Sequence, residues 1–277
     1  MARPHFSRIE IVQSLAAGES PTGRRLREAI EQVARFDHGV RVGFFEAPDA
    51  SHFWSAFERI RDSVADVTDV PVVHIEAHGL SDKGGLYLAD GTTVSWAALK
   101  TALTAINRRT GCRLLVTLAA CHGAYIQVTL DMQSEAPCWA LMGPSGVVSP
   151  PDLVSSYSSF FMKLLEERDA DVALRALHNA PERQAHYFLR TSEDFFMEVF
   201  SLYRKGNGSR AELEDRVARF GAMLKKASLP IQDQWIRGEM VKSEMQILGK
   251  FFTRFFFVDE HPENIDRFKS ALLAMKY

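Results

Sequence analysis

The sequence predicts an α/β fold, a mostly parallel sheet flanked by helices, followed by a helical extension. Three observations carry this expectation. Over roughly the first 180 residues, short apolar runs alternate with apolar stripes at helical spacing, the β-α-β-α-β order that builds a parallel sheet covered on both faces. One of those runs, Arg113–Leu118, is near-continuously apolar, as strands buried on both faces are. Beyond Pro181 the helical periodicity continues without a clear strand pattern. With 277 residues, 46% hydrophobic and 25% charged, the chain can bury a large core and has the length of one enlarged domain or a domain with an appendage. The division is expected at residues 1–180 and 181–277.

In order, Arg8–Leu15 reads as a strand that leaves into a loop containing Gly18 and Pro21. Leu26, Ile30, Val33 and Phe36 then mark a helix, Val40–Phe45 a second strand, and Phe53, Phe57, Ile60 and Val64 a second amphipathic helix. The third strand, Val72–Glu76, ends at His78-Gly79. Asp90-Gly91, between Leu86-Tyr87-Leu88 and Thr92-Thr93-Val94, predicts a hairpin with a type I′ turn. Trp96, Leu99, Leu103 and Ile106 give a helix that stops near Gly111, and the strand Arg113–Leu118 runs into Ala119-Ala120-Cys121-His122-Gly123. Trp139–Met142 is a further short strand, and Asp152–Asn179 is helical. In the extension, Gly206-Asn207-Gly208-Ser209 reads as a linker. After it, Leu213, Val217, Phe220 and Leu224 form one stripe, and the Met- and Phe-rich run to Phe257 reads as a core-packing helix.

Composition narrows the functions. Lys and Arg number 33 against 35 Asp and Glu, a net charge of −2, so no global basic field draws in nucleic acid. No window approaches the ~18 apolar residues of a membrane span, and Met1–Phe6 carries charge and a proline where an export signal needs an apolar stretch. A cytoplasmic location without membrane contact is expected. The three cysteines, Cys112, Cys121 and Cys138, form no C-x-x-C pair and cannot all be bridged, which excludes a disulfide framework and a zinc ribbon.

Chemistry is expected where strands of a parallel sheet end, because the loops there face a common crevice. Two strands end in reactive residues, one at His78-Gly79 and the other at Cys121. If they are neighbours, His78 and Cys121 share an edge. Cys121 would then be the nucleophile of an acyl transfer, and His78 would favour its thiolate and protonate the leaving amine. The backbone N–H groups of Gly79 and Cys121 would face the developing oxyanion. Cys112 and Cys138 open strands and are expected to be inert core thiols. His74, Glu76 and His78 alternate onto one face of a strand. His74 is expected as a satisfied buried histidine, and Glu76 as a structural acceptor ahead of a pocket role. No metal site is expected there, since alternate residues on one buried strand offer no open ligand direction.

The succession of strand, His78-Gly79, hairpin, helix, strand and Ala120-Cys121 resembles the caspase-like cysteine peptidases, a group that includes caspases, metacaspases, separases and the bacterial CHAT peptidases. The run His74-Ile75-Glu76-Ala77-His78-Gly79 is most similar to the CHAT pattern, with Ala77 where that pattern has its first glycine. His78 and Cys121 stand 43 positions apart, close to the spacing of about 50 in caspases. The resemblance covers roughly residues 8–180. It implies a caspase-like sheet and a Cys/His endopeptidase acting on a protein substrate without metal or cofactor. It also implies activation by a signal or partner protein, and service in cell-death or bacterial defence pathways. Ala119 stands where metacaspases place Asp and caspases Gln, so the residue preferred before the scissile bond does not carry over. Glu76, or Glu19 from the loop after Leu15, is the candidate for the missing pocket charge beside Ala119.

Two rivals remain. Ala119–Gly123 can be read as a variant nucleophile elbow of an α/β-hydrolase, which needs a base later in the chain: His178, His186 or His261. Alternatively, the domain is an idle regulatory scaffold.

Overall fold

The structure, a computed structural model, describes residues 4–34, 39–206, 209–226 and 232–274. The chain divides into two compact units, Met1–Leu130 with Ala136–Thr191, and Asp131–Glu135 with Ser192–Tyr277.

The first unit follows the predicted alternation. Strand β1 (Arg8–Gln13), helix α1 (Thr22–Ala34), β2 (Arg41–Glu46), α2 (Ala50–Ser63) and β3 (Pro71–Glu76) come first. A short antiparallel sheet, β4 (His78–Gly79), β5 (Gly85–Tyr87) and β6 (Thr93–Ser95), leads into α3 (Trp96–Arg109) and β7 (Leu115–Ala119). Then come β8 (Ala140–Pro144), α4 (Pro150–Glu167), α5 (Ala170–His178) and β9 (Tyr187–Thr191). The main sheet has the order β2-β1-β3-β7-β8-β9, parallel except for β9.

The alternation along the central strand explains the layers. Val73 and Ile75 of β3, with Val116 and Leu118 of β7, join Phe53, Phe57 and Ile60 of α2 and Leu99, Leu103 and Ile106 of α3 in one buried cluster. Each such large side chain contributes about 1.5–3 kcal/mol on burial. The opposite face of β3 carries His74, whose ring meets Tyr157 and Phe161 of α4 edge-on at centroid distances of 4.7 and 5.6 Å.

Three local expectations are corrected. The hairpin does not close through a type I′ turn: Gly91 N–H donates to Leu88 O, Leu88 N–H to Thr92 O, and only Gly91 has positive φ, at 87°. That is a type I turn followed by a left-handed glycine in a bulge, for which Asp-Gly serves equally well, because Asp90 accepts from Thr92 N–H instead of turning left-handed itself. The helical stretch after Asp152 is two helices, broken at Arg168, which takes a left-handed conformation and caps α4. Beyond Pro181 the chain is not helical throughout, since Tyr187–Thr191 forms β9 against β8. Phe36 and the Asn207-Gly208 centre of the expected linker lie outside the described residues.

The second unit holds α6 (Ser192–Lys205), α7 (Arg210–Lys226), α8 (Asp233–Phe255) and the short α9 (Asn264–Arg267) and α10 (Lys269–Ala274). The expected core packing of the Met- and Phe-rich run holds at its C-terminal end, where Phe252, Phe255 and Phe256 are buried and pack with Phe196, while Trp235, Val241 and Ile247 further up α8 are exposed. No helix among the described residues is long and apolar enough to cross a membrane.

Candidate active site

The register of the central strands decides where the two reactive residues lie. Strand β3 pairs parallel with β7, and Glu76 stands opposite Ala119. Two residues further along each chain are His78 and Cys121. The glycine after the histidine closes the junction: a Cβ on Gly79 would fall 1.7 Å from the Cys121 carbonyl oxygen, so the backbone of β4 packs directly on the backbone of Cys121. Only a residue without a side chain permits this approach. Leu80 N–H donates to Gly85 O at 3.0 Å, and the alternation of antiparallel pairing therefore turns Gly79 N–H away from β5.

Cys121 ends β7 in a tight turn. Gly123 N–H returns to Ala120 O at 2.9 Å, and His122 sits in the left-handed region at φ 59°. The thiol is partly exposed and lies against the loop after β8, with Sγ 3.5 Å from Val148 N and 3.7 Å from Val148 O. That loop is anchored from several sides. His122 N–H donates to Gly146 O, and Ser145 N–H to His186 O. Buried Asp152 in the first turn of α4 accepts from Ser156 and Tyr187 hydroxyls and from the N–H groups of Gln184 and Ala185. Burial raises the Asp152 carboxyl, but these donors outweigh it and hold the group below the ordinary carboxylate range.

His78 is half exposed, and its Nε2 lies 2.8 Å from Glu19 Oε1. Glu19 is fixed in turn, with Oε2 accepting from Ala16 N–H at 2.7 Å. Partial burial opposes ionisation of Glu19, yet the Ala16 N–H and His78 prevail and hold its carboxyl low. The loop that carries Glu19 is set by the start of α1, where Gln13 Oε1 accepts from Gly23 and Arg24 N–H and the Thr22 hydroxyl donates to Glu76. Among the described residues no hydrogen bond joins His78 to Cys121; each has another partner.

Both residues line one cavity of about 250 Å³, together with Glu19, Ser20, Thr22 and Ala119. Glu76 does not line it. It is buried between Thr22 and His74, and His74 bonds Thr117 Oγ1 on the neighbouring strand at 2.7 Å, so these three groups form a satisfied internal network. None of His178, His186 and His261 lines the cavity. Cys112 and Cys138 are buried elsewhere, and burial, with Cys112 nearby, pushes the Cys138 thiol far up. Val148, Pro150 and Leu153 also line the cavity, though nothing in the sequence singled them out. The signal available was the position of Gly143–Gly146 at the carboxyl end of a strand next to β7, an edge where loops converge.

No family model and no curated protein sequence matches the chain. Among solved structures it is similar to the Drosophila initiator caspase Dronc, at 12% identity and a TM-score of 0.49, over 69% of this chain and 81% of that one. It is also similar to Caspase-1 from Spodoptera frugiperda, at 15% identity and a TM-score of 0.44, over 68% and 88%. The likeness is one of partial chain path, and the functional reading rests on the residues of the site.

Proposed function

We propose that the chain is a caspase-like cysteine endopeptidase acting on protein substrates through Cys121 and His78. One observation carries this reading: a thiol and an imidazole from the ends of two paired central strands line a common cavity, with the Gly79 backbone packed on Cys121. The Cys121 thiolate attacks the scissile carbonyl, and the oxyanion forms beside the N–H groups of Gly79 and Cys121. His78 protonates the amine as the C–N bond breaks, then takes a proton from the water that hydrolyses the thioester. The run from His74 to Gly79 and the Ala120-Cys121 pair favour the CHAT branch of the group. A reducing cytoplasm, which keeps Cys121 a free thiol, suits this chemistry. Activation by a signal or partner protein fits a resting arrangement in which the two residues are engaged with Glu19 and Val148 rather than with each other.

The absence of the later histidines from the cavity weighs against the α/β-hydrolase reading. The test is labelling of Cys121 by peptidyl acyloxymethyl ketones, followed by intact mass. Labelling that is lost in Cys121→Ala and slowed in His78→Ala supports the peptidase. A folded chain that takes no label, alone or with cell extract as a source of activator, returns the scaffold reading.

A further inference from the structure

We propose that Glu19 is at once the acceptor for a cationic P1 side chain and a latch on His78, so that a substrate with Arg or Lys before the scissile bond frees the histidine by binding. The inference rests on the peptidase reading above. The cavity beside Cys121 has the size for a single long side chain, below the roughly 300 Å³ at which pockets for larger ligands begin. Its lining holds one acidic residue, Glu19, beside Ser20 and Thr22; no Lys or Arg lines it among the described residues. Ala119 and Ala120 leave the floor small and apolar, suited to an aliphatic stem. A carboxylate at P1 would meet the like charge of Glu19, with no Lys or Arg in the lining among the described residues to offset it. A guanidinium or ammonium would meet its complement.

The same carboxylate is already engaged, because Glu19 Oε1 lies 2.8 Å from His78 Nε2. In that state the proton on Nε2 is shared with Glu19 and is held back from a leaving amine. A P1 cation reaching Glu19 competes for its oxygens and releases Nε2. The imidazolium then gives its proton to the departing nitrogen as Cys121 Sγ bonds to the carbonyl carbon, and water restores both residues in deacylation. Specificity and assembly of the catalytic pair thus depend on one displacement.

The experiment compares peptides that differ only at P1, carrying Arg, its uncharged isostere citrulline, Gly or Asp, as aminocoumarin substrates and as ketone labels for Cys121. A hydrogen bond to a charged partner corresponds to about 10- to 100-fold in rate, so kcat/KM for Arg should exceed that for citrulline by about that factor, with Asp uncleaved. In Glu19→Gln the ratio should fall to near one, and the citrulline peptide should be cleaved faster than by the unaltered chain because a neutral amide holds His78 more weakly than the carboxylate. Propylguanidine added to the Gly substrate should accelerate the unaltered chain and leave Glu19→Gln unmoved. Equal losses for Arg and citrulline in Glu19→Gln would mean that Glu19 only orients His78, and preference for Asp would contradict the pocket; either result overturns the proposal. Failure of every peptide to label Cys121 in either protein, alone or with cell extract as a source of activator, is a different result, which removes the peptidase reading itself.

Discussion

The substitution Gly79→Ala tests the junction on which the site depends. A methyl group on Gly79 would lie 1.7 Å from the Cys121 carbonyl oxygen, 2.7 Å from its carbon and 3.1 Å from its Cα. All three atoms are backbone, so no side chain can swing aside. Reaching the 3.0 Å below which real Cβ contacts essentially never fall requires β4 and the Cys121 turn to separate by about 1.3 Å. A misplacement of about 1 Å at reacting groups costs on the order of 100-fold in rate. Overpacking of this kind also costs about 1–3 kcal/mol of stability. Labelling of Cys121 by a peptidyl ketone, followed by mass over time beside thermal unfolding, reads both effects. The expected result is labelling slowed about 100-fold while the chain stays folded at assay temperature. Labelling and unfolding both unchanged would refute the close approach of β4 to Cys121, and with it the placement of His78 beside the thiol.

Three further outcomes are expected. Asp152→Asn leaves hydrogen-bond donors facing donors in a buried site, which should cost about 3 kcal/mol and lower Tm by about 6–12 °C for a unit of this size. Because the folded-state carboxyl of Asp152 is held low, its contribution is present above about pH 4 and is lost as pH falls through the lower folded value, so the variant should show a shallower loss of stability in acid. Tyr157→Phe removes the hydrogen bond from Tyr157 Oη to Leu118 O at 2.7 Å and should cost about 1 kcal/mol in denaturant unfolding; no change in midpoint would mean the bond contributes nothing. Iodoacetamide should add one group to the native chain, at Cys121, and three in guanidinium, since Cys112 and Cys138 are only 0% and 3% exposed; rapid native modification of either buried thiol would contradict their placement.

The central strands were legible because burial on both faces leaves a plain trace: in Val72–Glu76 only His74 and Glu76 interrupt the apolar run, and both are satisfied internally. That the strand ends carrying His78 and Cys121 open onto one cavity followed from the rule that parallel strands deliver their ends to one edge. Other features left weaker traces. Strand β9 is five residues at the edge of the sheet, with only Tyr187 buried, so it has too little alternation to separate it from the helices on either side. The left-handed Arg168 that splits the helix at α4 carries no glycine to announce it. Glu19 and His78 are 59 positions apart, and what brings them together is the anchoring of α1 on Gln13 and Glu76, a tertiary contact with no local sequence pattern.

The strand order also has a consequence for the chain as it is being made. Strand β3 sits between β1, which precedes it, and β7, which follows after the hairpin and α3. At roughly 5–20 residues per second, β7 leaves the ribosome about 2–8 s after β3. During that interval Val72, Val73 and Ile75, all fully buried in the finished sheet, belong to an edge whose backbone groups have one neighbour instead of two. A nascent chain stalled within α3 therefore carries an adhesive strand, and the cavity lined from the ends of β3 and β7 closes only when the arrival of β7 covers that edge.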